Sequence, residues 1–189
     1  MEGVVPRFLI EQNVSYYTIP VAMVMALTPR LATICCYGRF YNAHYPRGLP
    51  DDIQMLPVNA LSPRARGRLF RADAALQNGL ENLPLFAAAV VAANASYLPA
   101  AELNLCCIGY LLLRALYMAF FVFWQDNPVF PAMTRSVIWA AGVGVEMYMF
   151  VLAARQPPLV VMGADGELAP LVQQGMRFSF SGSIAKPEL

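Results

Sequence analysis

Four stretches of the chain are apolar over twenty or more residues, and polar breaks separate them. A helix needs about 20 mainly apolar residues to cross a bilayer, so each stretch reads as one span. The first covers residues 14–40, with Pro29-Arg30 as its weak point because a proline withdraws one backbone donor. The second covers residues 68–96. The third covers residues 101–124, after the turn "SYLPAAE", and the fourth residues 131–154. The last span stops at "RQPPL", where two prolines end a helix. The pattern predicts an all-α membrane protein: a four-transmembrane-helix domain over residues 1–155 and a polar C-terminal tail over residues 156–189. The connection "YNAHYPRGLPDDIQMLPVNALSPRARG" is rich in Pro, Gly and Asn and reads as loop. In the tail, "GADGE" reads as a turn and "SFSGSIAKPEL" as a frayed end.

The polar residues inside the spans are not scattered. Residues at i, i+3, i+4 and i+7 share a helix face. On the second span that spacing aligns Arg71, Ala74, Asn78, Glu81 and Leu85. On the third it aligns Tyr110, Arg114, Tyr117, Phe121 and Trp124; on the fourth, Arg135, Trp139, Gly142 and Glu146. A charge at the centre of a membrane helix costs roughly 2.5–3.5 kcal/mol on insertion scales. Glu81, Arg114 and Glu146 are therefore expected to face the bundle interior and to pair, with Arg114 bonded to Glu81 or Glu146. Two readings follow. In one, the ions form a structural pair that fixes helix register. In the other, they line a polar pocket, with Asn78 and Glu81 on one wall and Arg114, Tyr117 and Arg135 on the others. Pro84 bends the second span one turn beyond Asn78 and Glu81.

Composition agrees with lipid as the solvent. Hydrophobic residues make up 58% and charged residues 13%, against about 45–50% and about 25% in soluble domains. Mean hydropathy is +0.49. A net charge of +1 argues against nucleic acid as a partner. The cations are twelve Arg and one Lys, and Arg is suited to bidentate bonds with carboxylate or phosphate. Cys35–Cys36 and Cys106–Cys107 are adjacent pairs in apolar surroundings. They lack zinc-ligand spacing and read as packing, and His44 reads as a solvated loop residue, so no metal site is expected. Arg39, Arg47, Arg64, Arg66 and Arg68 crowd the first loop, whereas the second has no cation. The positive-inside rule then places the first and third loops in the cytosol. The "NVS" at Asn13 becomes a lumenal glycosylation sequon.

The wording of the second span, "RADAALQNGLENLPLFAAAVVAANAS", resembles the second-helix signature of the MAPEG family, the membrane-associated proteins in eicosanoid and glutathione metabolism. The matching positions are Arg71, Asn78, Glu81, Pro84 and Phe86. "LLLRALYMAFF" is similar to that family's third helix through Arg114 and Tyr117, and "TRSVIW" to the start of its fourth through Arg135. The "YYTIP" start and the "RADAALQNGLEN" wording resemble fungal members of that family. The resemblance implies a homotrimer in the endoplasmic reticulum, with glutathione as co-substrate and a lipophilic small molecule as its target. It implies glutathione contacts at Arg71, Asn78, Glu81, Arg114 and Tyr117, with Arg135 as the catalytic group that stabilises the thiolate. A nearby cation favours thiolate, the nucleophilic form. The chain departs from the family pattern in three ways: Ala74 and Phe121 stand where an Arg and an aromatic hydroxyl are expected, and "VFWQDNPVFPAMT" lengthens the third loop. The functions implied are glutathione transfer, peroxide reduction or isomerisation. The alternative is a non-catalytic accessory protein that supports the tailoring enzymes of a specialised-metabolite pathway, with those biosynthetic enzymes as partners.

Overall fold

The computed structural model describes residues 12–38, 44, 46–124 and 130–156, together with two short strands at 160–162 and 168–170. Four long helices make up most of it. Helix α1 is Ser15–Tyr37. A 3-10 turn, Pro46–Gly48, leads into the short helix α2, Leu49–Met55. Helix α3 is Pro63–Ala95, α4 is Ala100–Ala119 and α5 is Phe130–Arg155. A π-helical turn, Phe120–Trp124, extends α4. Beyond α5, strands β1 (Val160–Met162) and β2 (Leu168–Pro170) pair antiparallel. They belong to a separate compact unit that starts at Arg155. The predicted "GADGE" turn, the frayed end and the lengthened part of the third loop lie outside the described residues.

Helices α1, α4 and α5 contain segments long and apolar enough to cross a membrane: Ser15–Cys35, Ala100–Phe123 and Met133–Arg155. Helix α3 is the longest, at 33 residues, and reaches about 50 Å at 1.5 Å per residue. Its arginines and acids keep it below the apolarity of the other three. It also begins five residues before the predicted span. Ser62 is its N-cap, accepting a hydrogen bond from the Ala65 N–H at 3.2 Å, and Pro63 occupies the first turn, where its missing N–H costs nothing.

The first loop corrects the expectation that it has no helix. Pro50 near the start of α2 and Asp51 and Asp52 in its first turn are helix-starting chemistry. Leu49 and Ile53 pack with Leu61 and Leu69, so the segment folds down on the start of α3. Arg66 fixes it there by donating to the carbonyls of Ile53, Leu56 and Pro57 at 2.9–3.2 Å.

The main core lies between the helices. Phe86, Ala89, Val90 and Ala93 of α3 pack with Leu103, Cys107 and Tyr110 of α4, Ala22 of α1 and Met149 of α5. The Phe86 and Tyr110 rings stack at 4.0 Å. Helices α1 and α3 approach closely at Gly79, where an added Cβ would stand 2.8 Å from the Ala26 Cβ. At the other end of α3, Leu98 donates its N–H to the Ala93 carbonyl and Tyr97 to that of Asn94, a Schellman stop. It places Tyr97 at φ 56°, a conformation that usually takes glycine. Asn104 ties the start of α1 to α4, accepting from the Val14 N–H at 3.0 Å. Asn13, the expected sequon residue, is exposed, but its amide nitrogen already donates to Asn94 Oδ1.

Candidate functional site

The predicted polar stripes converge in part. Asn78 of α3, Tyr117 of α4, and Arg135, Ser136 and Trp139 of α5 line one cleft of about 230 Å³. Three of the six residues singled out from the sequence are therefore in its wall. Each helix contributes by spacing. Tyr117 lies one turn beyond the buried Arg114, and Trp139 lies one turn beyond Arg135. Ser136 was not anticipated; its place beside Arg135 on the first turns of α5 was the available signal.

Arg135 rests on an aromatic platform. Its guanidinium carbon sits 4.6 Å from the centroid of Phe121, inside the range of a cation–π contact. Phe121 in turn is tilted against Tyr117 at 5.7 Å. The absence of a hydroxyl at Phe121 thus has a structural consequence. The ring offers Arg135 a face instead of an acceptor. Arg135, Arg114 and Glu81 all lie within electrostatic reach of the Tyr117 hydroxyl.

The ions deeper in the bundle do not pair as expected. Among the described residues, neither Glu81 nor Glu146 is within ion-pair distance of Arg114. Arg114 is buried and donates instead to the Asn78 backbone carbonyl at 2.8 Å. Its guanidinium also lies 5.3 Å and 5.9 Å from the rings of Tyr117 and Tyr110. A backbone carbonyl and two π-faces satisfy the cation without a carboxylate, so the acids are left to other environments. Glu81 is exposed on the outer side of α3, not turned inward. Glu146 is fully buried with Tyr110 and Arg114 among its neighbours, and neither of its carboxylate oxygens has a partner at full hydrogen-bond geometry.

Arg71 is not among the residues that line the cleft. It donates to the Val122 carbonyl at 3.3–3.4 Å, inside the π-helical turn. A π-turn shifts carbonyls out of the ordinary i→i−4 ladder, and the guanidinium supplies a donor there. Ala74, where the family pattern has an Arg, receives the Asn78 side-chain amide on its carbonyl at 3.0 Å. One ion pair among the described residues was not expected from the sequence. Arg30 of α1 meets Asp73 of α3 at 2.7 Å, and Gln77 donates to the other Asp73 oxygen at 2.9 Å.

The MAPEG family model matches residues 17–155, most of the chain, and the protein belongs to that family. It is accordingly an integral membrane protein, in agreement with its three long apolar helices. No curated protein and no solved structure matches the chain.

Proposed function

We propose that the protein is a glutathione-dependent enzyme acting on a lipophilic electrophile, with the cleft between α3, α4 and α5 as its thiol site. The observation that carries this reading is the lining itself: a guanidinium, two hydroxyls and an amide gathered in one opening of about 230 Å³. Glutathione carries two carboxylates, one ammonium and a thiol. Arg135 is a partner for an anionic group, the hydroxyls of Tyr117 and Ser136 donate or accept, and Glu81 at the nearby surface suits the ammonium. The donor set fits the tripeptide. When bound, glutathione supplies a sulfur nucleophile. The chain's own residues bind its ends, hold the positive charge of Arg135 beside the sulfur so that thiolate is favoured, and keep that guanidinium in place on Phe121. Arg114 acts one layer behind, fixing the α3 backbone at Asn78. Arg71 contributes by bracing the π-turn that carries the Phe121 ring. Transfer, peroxide reduction and isomerisation all begin from such a thiolate.

The site is completed by a second copy in this reading, with α3 as the fourth span of a homotrimer in the endoplasmic reticulum. Glu81 is exposed in a single subunit, and a lipid-facing carboxylate is costly. A neighbouring copy that covers it removes that cost and closes the cleft. Calorimetry with millimolar glutathione in detergent tests the function. The parent protein should release heat on binding, and Arg135→Ala and Glu81→Gln should each weaken binding by about tenfold or more, the scale of one lost charge-assisted bond. No heat from the folded parent protein ends this reading.

A further inference from the structure

A second, larger cavity lies elsewhere in the transmembrane unit. It measures about 540 Å³ and sits between α1, α3 and the π-helical end of α4, within the range of about 300–1,000 Å³ usual for small-molecule sites. Met25, Ala72, Ala115, Met118 and Val122 are among its walls, and none of its lining residues belongs to the thiol cleft. The two openings lie on different faces of α4: Tyr117 faces one and Met118 the other.

The cavity is apolar even where its residues are not. Thr28 and Thr33 line it, but their hydroxyls are already bonded to the carbonyls of Val24 and Pro29. They therefore present methyl groups. The polar groups left in the wall are the hydroxyl of the half-buried Tyr37 on α1 and the guanidinium of Arg68 on α3, an exposed cation. Arg64 stands one turn before Arg68 on the same helix face and is also exposed. An apolar interior ending in arginines has the chemistry of an amphiphile with an anionic head. Apolar surface continues outside it: Phe123, part of the wall, is 59% exposed, and Leu31 on α1 is 54% exposed. That surface suits a second hydrocarbon chain alongside the enclosed one.

We propose that this cavity holds one acyl chain of an anionic glycerophospholipid, whose phosphate sits on Arg68 and Arg64 while its second chain lies against Phe123. The guanidinium fork matches phosphate oxygens two at a time, and the three-helix slot admits one chain. The proposal is independent of glutathione chemistry and requires only a bilayer. A second copy of the chain is a poorer occupant. The cavity's α3 wall, Leu69 and Ala72, is buried within the subunit and is turned about a third of a turn from the exposed face with Gln77, Glu81 and Pro84.

The test is native mass spectrometry of the full chain released from nanodiscs containing phosphatidylcholine with or without phosphatidylserine. One phosphatidylserine per subunit should survive detergent stripping that removes phosphatidylcholine. Arg68→Gln should lower its retention by about tenfold, the equivalent of one charge-assisted contact. Ala119→Phe, which fills the cavity from an exposed wall position, should abolish retention with helix content unchanged by circular dichroism. Should Ala119→Phe fail to fold, Arg68→Gln alone decides. Equal retention of both lipids, retention untouched by Arg68→Gln, or capture of free fatty acid without phosphorus would overturn the proposal. So would efficient crosslinking of Ala119→Cys to a second copy.

Discussion

Gly79 shows how one residue sets the distance between two membrane helices. A Cβ there would stand 2.8 Å from the Ala26 Cβ and 3.1 Å from its Cα. The second contact is backbone, so no side-chain rotation relieves it. In hydrocarbon, helices associate through close packing of small residues more than through burial from water. Gly79→Ala should therefore lower the thermal midpoint in detergent, by an overpacking cost of about 1–3 kcal/mol. Ala26→Gly in the same chain should recover most of the loss, because it removes the Cβ that is struck first. Failure of the second substitution to rescue would show that the loss arises elsewhere than at the crossing. Phe121 is the other residue whose chemistry is local. By sequence it is a missing hydroxyl; in three dimensions it is the platform under Arg135.

Between elements, the α1–α3 pair is held by the Arg30–Asp73 bridge as well as by small residues. Both side chains are largely enclosed, at 14% and 5% exposure. Removing one partner of such a pair costs about 3–5 kcal/mol, because the other charge stays buried, whereas replacing both by apolar residues is often neutral. Asp73→Ala should thus destabilise the protein sharply, and Arg30→Met with Asp73→Leu should restore much of the midpoint in the same thermal assay. This bridge was not legible in the sequence. Arg30 and Asp73 are 43 positions apart, and only the crossing register brings them together. Three of the four spans were legible as membrane-crossing lengths, because twenty apolar residues in a row leave few alternatives. The inward stripe of α4 was legible too: Tyr110, Arg114, Tyr117 and Phe121 are all buried. The pairing within the stripes was not. Periodicity specifies a face but not which acceptor a guanidinium finds there, and Arg114 found a carbonyl. The helix at Leu49–Met55 escaped notice because two turns are too short to show a period, although Pro50, Asp51 and Asp52 marked its start.

For the whole molecule, the exposed face of α3 carries the last step. Gln77, Glu81, Pro84, Ala88, Val91 and Ala95 are all exposed in a single chain. They recur at alternating intervals of four and three, the spacing of a coiled-coil seam. A lipid-facing helix has no need of that spacing, and Gln77 and Glu81 would be costly there. Small residues at Ala88 and Ala95 would let backbones approach closely. The seam is what a copy of the same helix would fit, and it supports the proposed trimer with α3 nearest the axis. In a chain with its native cysteines replaced, Ala88→Cys should then form disulfide-linked dimers readily under mild oxidation. Leu112→Cys, exposed on α4 but off the seam, should not. Both positions are in apolar helices, so a difference in oxidant access does not explain such a contrast. Equal crosslinking at the two sites would mean random collision. Crosslinking at Leu112 alone would place a different helix at the centre, leaving Glu81 without a protein neighbour and the thiol cleft without its second wall.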